Sequence, residues 1–469
     1  MNKKLKLALA ALLGFSTACS TVKNAPAKGA EEQKQETGSQ EVQDSVKVPP
    51  RIVVMYGVRP PGQAGPATGV HIPDAKVQSA EPEELDPVAE KPTEDTPVMD
   101  TKKGAKAPEK YSMARRRPGL RKRLALNIFS DLYASTVAEH RLTTLFWECT
   151  LRCNLSCRHC GSDCRVDPGV PDMPLEDFLK VLDEEITPHV DPSEVLIIFS
   201  GGEVLVRDDL ERAGAEVTRR GYAWGMVTNG MALTEARLRS LLDAGLRSVS
   251  VSLDGFEREH NHIRGNSRSY DRALAALRMI VREPSLTYDV VTCVTGAMVP
   301  QLEAFRDMLI AEGVAHWRLF SIFPMGRAKN DPSLRMTDAQ FREMLEFIRR
   351  TRKEGRIGTS YACEGFLGDY ETEVRDYFYQ CAAGVSVASI RVDGAISGCT
   401  SIRANFHQGN IYRDKFWDVW QNRFEPFRNR DWARRGACAD CKMFRYCLGG
   451  GMHLRGDDGE LLYCHYHRL

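Results

Sequence analysis

From about residue 141 onward, apolar runs alternate with helical repeats. Runs at Leu142 to Cys149, Val195 to Ser200, Tyr222 to Thr228, Ser248 to Leu253, Tyr288 to Thr295 and His316 to Phe323 are dense enough for buried strands. Between them stand segments with apolar residues three and four apart, among them LEDFLKVLDEEI, ARLRSLLDAGL, YDRALAALRMIV and VPQLEAFRDMLIAEG. Buried strands alternating with helices predict a parallel sheet. The six units predict an α/β fold, a partial (β/α)6 TIM-like barrel over residues 141–335, with its chemistry at the C-terminal ends of the strands.

The front of the chain follows another pattern. Residues 1–19 run from a basic start (MNKK) through an apolar stretch (LALAALLGF) to STAC, the order of an export signal too short to span a membrane. It resembles a bacterial lipoprotein signal, which implies lipidation at Cys19, although Ser16 stands where an aliphatic residue is usual. Residues 20–112 are rich in Pro, Glu, Lys and Gln, and from Thr21 to Tyr111 there is no Trp or Phe, so a disordered segment is expected. Within it an apolar island at 49–62, PPRIVVMYGVRPPG, suits a short strand or a docking peptide. Residues 113–140 form a lead-in with a basic start and helical periodicity through Leu124, Ile128, Leu132 and Val137.

The 469 residues suffice for two or three domains, and a net charge of +1 offers no electrostatic reason to expect nucleic acid. The fourteen cysteines gather in one tight triplet and one C-terminal group, which suits metal or cluster binding better than disulfides. A reducing, cytoplasmic setting is therefore expected for the catalytic part, with membrane contact only through the leader.

Cys153, Cys157 and Cys160 stand as C-x3-C-x2-C just after the first apolar run. Three thiolates can hold three corners of a 4Fe-4S cluster and leave one iron open. A zinc site or free thiols are the competing readings, but Cys149 and Cys164 complete no tetrahedral zinc pattern. The spacing, the strand before it and the motifs after it resemble the radical SAM superfamily. That resemblance implies S-adenosylmethionine on the open iron, with Gly201, Gly202 and Glu203 at its methionyl amino group. It further implies cofactor contacts from Asn229 in Thr228-Asn229-Gly230, from Ser252 and Asp254 after the fourth strand, and from Arg264. His159 would lie near the adenine, and FPMGRA (Phe323 to Ala328) is similar to the family's late adenine-contact region. His260 and His262 are expected on a solvated helix face, and Cys293 as a buried apolar thiol.

The C-terminal cysteines, in residues 336–469, resemble the SPASM extension of radical SAM enzymes, which carries one or two auxiliary 4Fe-4S clusters. Mapped in order, Cys438, Cys441, Cys447 and Cys464 would hold one. Cys381 and Cys399, separated by a hairpin-like SIRVDGAISGC, would join Cys363 in another whose fourth position is Gly451, leaving an open iron, completion by something like His453, or no cluster. A zinc ribbon is the bland alternative. Thr400 stands where sulfatase-maturing relatives carry an Asp that acts as a base, which argues against formylglycine formation.

The resemblance implies an oxidoreductase that cleaves S-adenosylmethionine and modifies a peptide or protein, served by a flavodoxin- or ferredoxin-like donor. The front segment resembles the small lipoproteins that accompany one radical SAM/SPASM subfamily, which points to a substrate in cis around Met55-Tyr56-Gly57. The rival readings are an Fe-S electron-transfer protein without SAM chemistry and a zinc-stabilised lipoprotein binding module.

Overall fold

Leu145, Phe146 and Trp147 are buried in the first strand, β1 (Thr144–Thr150), because it lies inside a sheet and not at its rim. The computed structural model describes residues 117–469. The leader with Cys19, the polar segment, the island at 49–62 and the first residues of the lead-in lie outside the described residues. On one side β1 pairs in parallel with β2 (Leu196–Gly201). Then follow β3 (Ala223–Thr228), β4 (Leu246–Ser252), β5 (Thr287–Val294), β6 (His316–Ser321) and β7 (Gly358–Tyr361), each parallel to its predecessor. On its other side β1 pairs in parallel with β8 (Val387–Ile390), from which β9 (Ala395–Ser397) and β10 (Gly409–Asn410) continue antiparallel.

Among the described residues the ten strands form one sheet, ordered β10-β9-β8-β1-β2-β3-β4-β5-β6-β7. The six expected strands are present in the expected order, and the architecture is an α/β partial barrel followed by a C-terminal cysteine-bearing region. The βα alternation continues past residue 335 through α8 (Asp338–Glu354) into β7, and β8 adds a parallel strand on the far side of β1. The hairpin read in SIRVDGAISGC is β8 and β9.

The helices before α8 are α1 (Leu120–Glu139), α2 (Leu175–Val181), α3 (Leu210–Arg219), α4 (Glu235–Asp243), α5 (Glu257–Arg264), α6 (Ser269–Val281) and α7 (Leu302–Ala311). They cover the sheet by burying single apolar stripes: Phe178 of α2 stacks on Trp147 of β1 with ring centroids 4.3 Å apart. A capping box between Thr337 and Gln340 starts α8, and left-handed Gly355 stops it.

Two details differ from the sequence reading. In α1 the buried residues are Ala125, Leu126, Ile128 and Leu132 while Leu124 is exposed, because the helix turns its stripe toward Phe366, Phe378 and Tyr379. His260 is fully buried, not solvated: its ring spans from the backbone N–H of Asp254, which donates to Nδ1 at 3.0 Å, to Ser269 Oγ, 2.9 Å from Nε2. His262 is exposed as expected.

Candidate active site

The loop after β1 brings Cys153, Cys157 and Cys160 together with Leu155 and Cys164 in one small apolar cluster. Backbone bonds fix its course, from Cys153 N–H to Arg165 O at 2.7 Å and from Cys160 N–H to Cys157 O at 3.2 Å. Burial pushes the Cys153 thiol up to about 12. The hydrogen bond with Cys164 lowers Cys160 and raises Cys164. Metal binding at such thiols releases protons. Among the described residues no cysteine is in a disulfide.

Gly201 and Gly202 carry the turn after β2 across this loop. A Cβ on Gly201 would stand 2.0 Å from Thr150 O and one on Gly202 2.1 Å from Arg152 O, so no side chain fits at either position. The close approach lets Gly202 N–H reach Thr150 O at 2.9 Å and Glu203 N–H reach Arg152 O at 3.0 Å. Burial raises the Glu203 carboxyl, which accepts from Leu205 N–H (3.1 Å), Thr228 Oγ1 (2.7 Å) and Asn229 N–H (2.7 Å). Glu203 thus ties the ends of β2 and β3 together and places Asn229, whose Nδ2 donates to Asn154 Oδ1 at 2.8 Å and lies 3.9 Å from Cys153 Sγ.

Ser252 is half-buried at the end of β4. Two residues on, Asp254 accepts from Arg264 Nε at 2.6 Å and from Cys293 N–H at 2.9 Å, and Arg264 Nη1 reaches to 3.8 Å from Cys157 Sγ. His159 Nε2 lies 3.7 Å from Asp254, and burial lowers its pKa to about 4. Ligand atoms of His159, Asp254 and the half-buried Cys293 lie within 4.8 Å of one another, but the Arg264 guanidinium already occupies the carboxylate that a cation would need.

The sequence reading missed the role of Gly326 and Arg327. Arg327 holds the cysteine loop from the opposite side: its N–H donates to Cys160 O (3.0 Å), Nε to Cys157 O (2.7 Å), and Nη1 to Asp163 Oδ1 (2.8 Å) and Cys164 O (2.9 Å). Gly326, at φ +53°, leaves no room for a Cβ, which would lie 2.4 Å from Cys160 O. FPMGRA was visible as a motif, but spacing alone could not show what it touches.

Cys438, Cys441, Cys447 and Cys464 line a single pocket beside Phe366 and Leu461. Arg455 Nη2 approaches Cys438 Sγ at 3.7 Å, and burial followed by the charge of Cys464 pushes Cys447 up to about 12. Cys363 is likewise raised to about 12, by burial and then by its neighbours Cys399 and Cys381. At Gly451 a Cβ would meet the His453 ring at 2.6 Å; that ring packs on Phe323 and is kept neutral by burial, its pKa lowered to about 4.

Residues 147–309 match the family model described as the radical SAM superfamily, and residues 381–442 match that of SPASM, an iron-sulfur cluster-binding domain. This is a radical SAM/SPASM enzyme. Family membership implies an iron-sulfur cluster and S-adenosylmethionine, and the donor set fits: three converging thiols, with an amide and a guanidinium beside two of the sulfurs. An AdoMet-dependent heme synthase of Methanosarcina barkeri is 25% identical over 342 residues, 68% of this chain and 95% of that protein. Mycofactocin maturase MftC of Mycolicibacterium smegmatis is 29% identical over 330 residues, 67% of this chain and 81% of that one. Among solved structures, anSMEcpe with bound AdoMet aligns at TM-score 0.56 with 17% identity, covering 70% of this chain and 94% of its own. SuiB of Streptococcus suis bound to S-adenosylmethionine aligns at 0.53 with 15% identity, covering 71% and 78%; both share the fold.

Proposed function

We propose that this radical SAM enzyme modifies a peptide or protein. The observation that carries the reading is the three-thiol loop after β1, with Asn229 just past β3 and Arg264 in the last turn of α5 beside its sulfurs. Cys153, Cys157 and Cys160 would hold a cluster whose fourth iron position binds S-adenosylmethionine. That pair supplies, when bound and reduced, homolytic cleavage to methionine and a hydrogen-abstracting deoxyadenosyl radical. Around it the chain's own residues orient and exclude water: Gly201 and Gly202 bring the β2 turn close, Glu203 places Asn229, and Arg327 holds the loop. Cys438, Cys441, Cys447 and Cys464 would hold an auxiliary 4Fe-4S cluster, and Cys363, Cys381 and Cys399 a second one.

Support for a peptide substrate comes from SuiB, solved with a precursor peptide, from anSMEcpe, solved with peptides, and from the maturase MftC. A second reading, a heme-related substrate, is favoured by the match along 95% of the heme synthase. The front segment, around Met55-Tyr56-Gly57, is the peptide we propose as a substrate in cis, with Cys19 a lipid anchor and the catalytic part facing a reduced cytoplasm and a flavodoxin- or ferredoxin-like donor. Anaerobic reconstitution with iron, sulfide and reductant should yield 5'-deoxyadenosine, and mass spectrometry should find a changed mass in peptide 49–62. Deoxyadenosine without any change in that peptide removes the cis substrate; no deoxyadenosine removes the SAM reading.

A further inference from the structure

Glu148 is buried at the end of β1 between two guanidiniums. Arg403 donates through Nη2 to its Oε2, and Arg391 Nε stands 3.6 Å from its Oε1. The register explains the meeting: Trp147 pairs with Ile390, so Glu148 and Arg391 are the next residues along two neighbouring parallel strands. Arg391 Nη1 also meets His407 Nε2 at 2.9 Å. Burial, then the charge of Arg391, lowers the His407 pKa, and two guanidiniums share the single carboxylate of Glu148. Asp393, on the same hairpin, is exposed and accepts from Ala395 N–H in its own turn at 3.1 Å.

The bonding of this group is incomplete. Glu148 Oε1, Arg391 Nε, Arg403 Nε and His407 Nδ1 are buried without a hydrogen-bond partner. A guanidinium N–H that is buried and unpaired is unfavourable unless an acceptor completes it. A guanidinium offers a carboxylate a planar pair of N–H donors, which selects that anion. Position agrees: Glu148 stands five residues before Cys153 and Arg403 four residues after Cys399, so the pair joins the loop after β1 to the C-terminal cysteines.

We propose that Arg391 and Arg403 form a subsite for a carboxylate of the substrate, held between the SAM-cluster loop and the SPASM cysteines; it rests on the radical SAM reading above. The probe is hippurate, which ends in a carboxylate like a peptide, compared with its neutral amide hippuramide, by saturation-transfer NMR on the reconstituted full-length enzyme with S-adenosylmethionine. Hippurate should bind at least about tenfold more tightly than hippuramide, and lose at least about tenfold in R391M and R403M, as expected for a charge-assisted pair. Equal binding of the amide by the unaltered enzyme, or affinity unchanged in both variants, overturns the subsite. Should either variant fail to fold by circular dichroism, the comparison of the two probes on the unaltered enzyme decides. Deoxyadenosine release by that enzyme is scored separately: release without discrimination sinks the subsite alone, and discrimination without release sinks the SAM reading while supporting an anion site.

Discussion

Arg264 and Asp254 are joined at 2.6 Å inside the protein, both almost without solvent contact, and the same guanidinium stands 3.8 Å from the sulfur of Cys157. A carboxylate between β4 and β5 therefore sets the position of a cation at the Cys157 thiol. Removing the negative partner leaves that cation buried and alone.

Asp254→Asn should lower stability by about 3 to 5 kcal/mol, the range for breaking one side of a buried pair, and should lower iron content after reconstitution. Burial alone would raise the Asp254 carboxyl, but Arg264, with help from His159, outweighs it and holds it down to about 2. A depressed carboxyl contributes stability above its unfolded value, and that contribution fades as pH falls through the folded one. Urea unfolding of both proteins should show a constant gap from pH 8 to 5 that narrows only below about 4. A gap that vanishes already at neutral pH would count against the pair.

His260 predicts acid sensitivity in a different window. Burial, then the charge of Arg264, lowers it to about 3, and its Nδ1 must stay unprotonated to accept the Asp254 N–H. Unfolded histidine takes up a proton near pH 6.5, so the folded state loses up to ~1.4 kcal/mol per pH unit between there and about 3. His260→Gln should flatten that slope relative to the unaltered protein; an identical slope refutes the assignment.

Glycines near the cysteine loop make a matched test. Gly161→Ala meets nothing within 4 Å, whereas a Cβ at Gly326 would lie 2.4 Å from Cys160 O and one at Gly202 2.1 Å from Arg152 O. The first variant should reconstitute to normal iron content, and the other two should lose the visible absorption of the SAM cluster. Equal iron in all three would contradict the close contacts.

Cys441→Ser should remove ~4 iron atoms per chain, one auxiliary cluster's worth. The cluster signal that responds to S-adenosylmethionine in electron paramagnetic resonance should persist. Unchanged iron content would mean that the four-thiol pocket holds no cluster.

The six central strands were legible because each is six to eight residues long, rich in apolar and β-branched residues, and followed by a helical repeat. β7 (GTSY) was not, being four residues long and mixing Ser and Thr with its one aromatic, and β8 (VASI) was legible only as one arm of a hairpin, not as a parallel neighbour of β1. The cysteine triplet was legible because its members are local, and the four cysteines of the C-terminal pocket followed in order along the chain. Contacts across the fold left no such trace. Arg403 meets Glu148 across 255 positions, and Arg327 meets Cys157 across 170. The helical phase of α1 was misjudged at Leu124 because the surface it packs on, Phe366 to Tyr379, lies far along the chain.

The parallel seam between β1 and β8 makes the SPASM region a splint on the catalytic half rather than an appendage. A chain cut after Tyr361 would strip Thr144, Leu145, Phe146 and Trp147 of their partners Val387 to Ile390 and present a bare, apolar ribbon to the solvent. Such a ribbon seeks other chains, so the shortened protein should come out of the cell as aggregate, and the two halves would have to be inherited together.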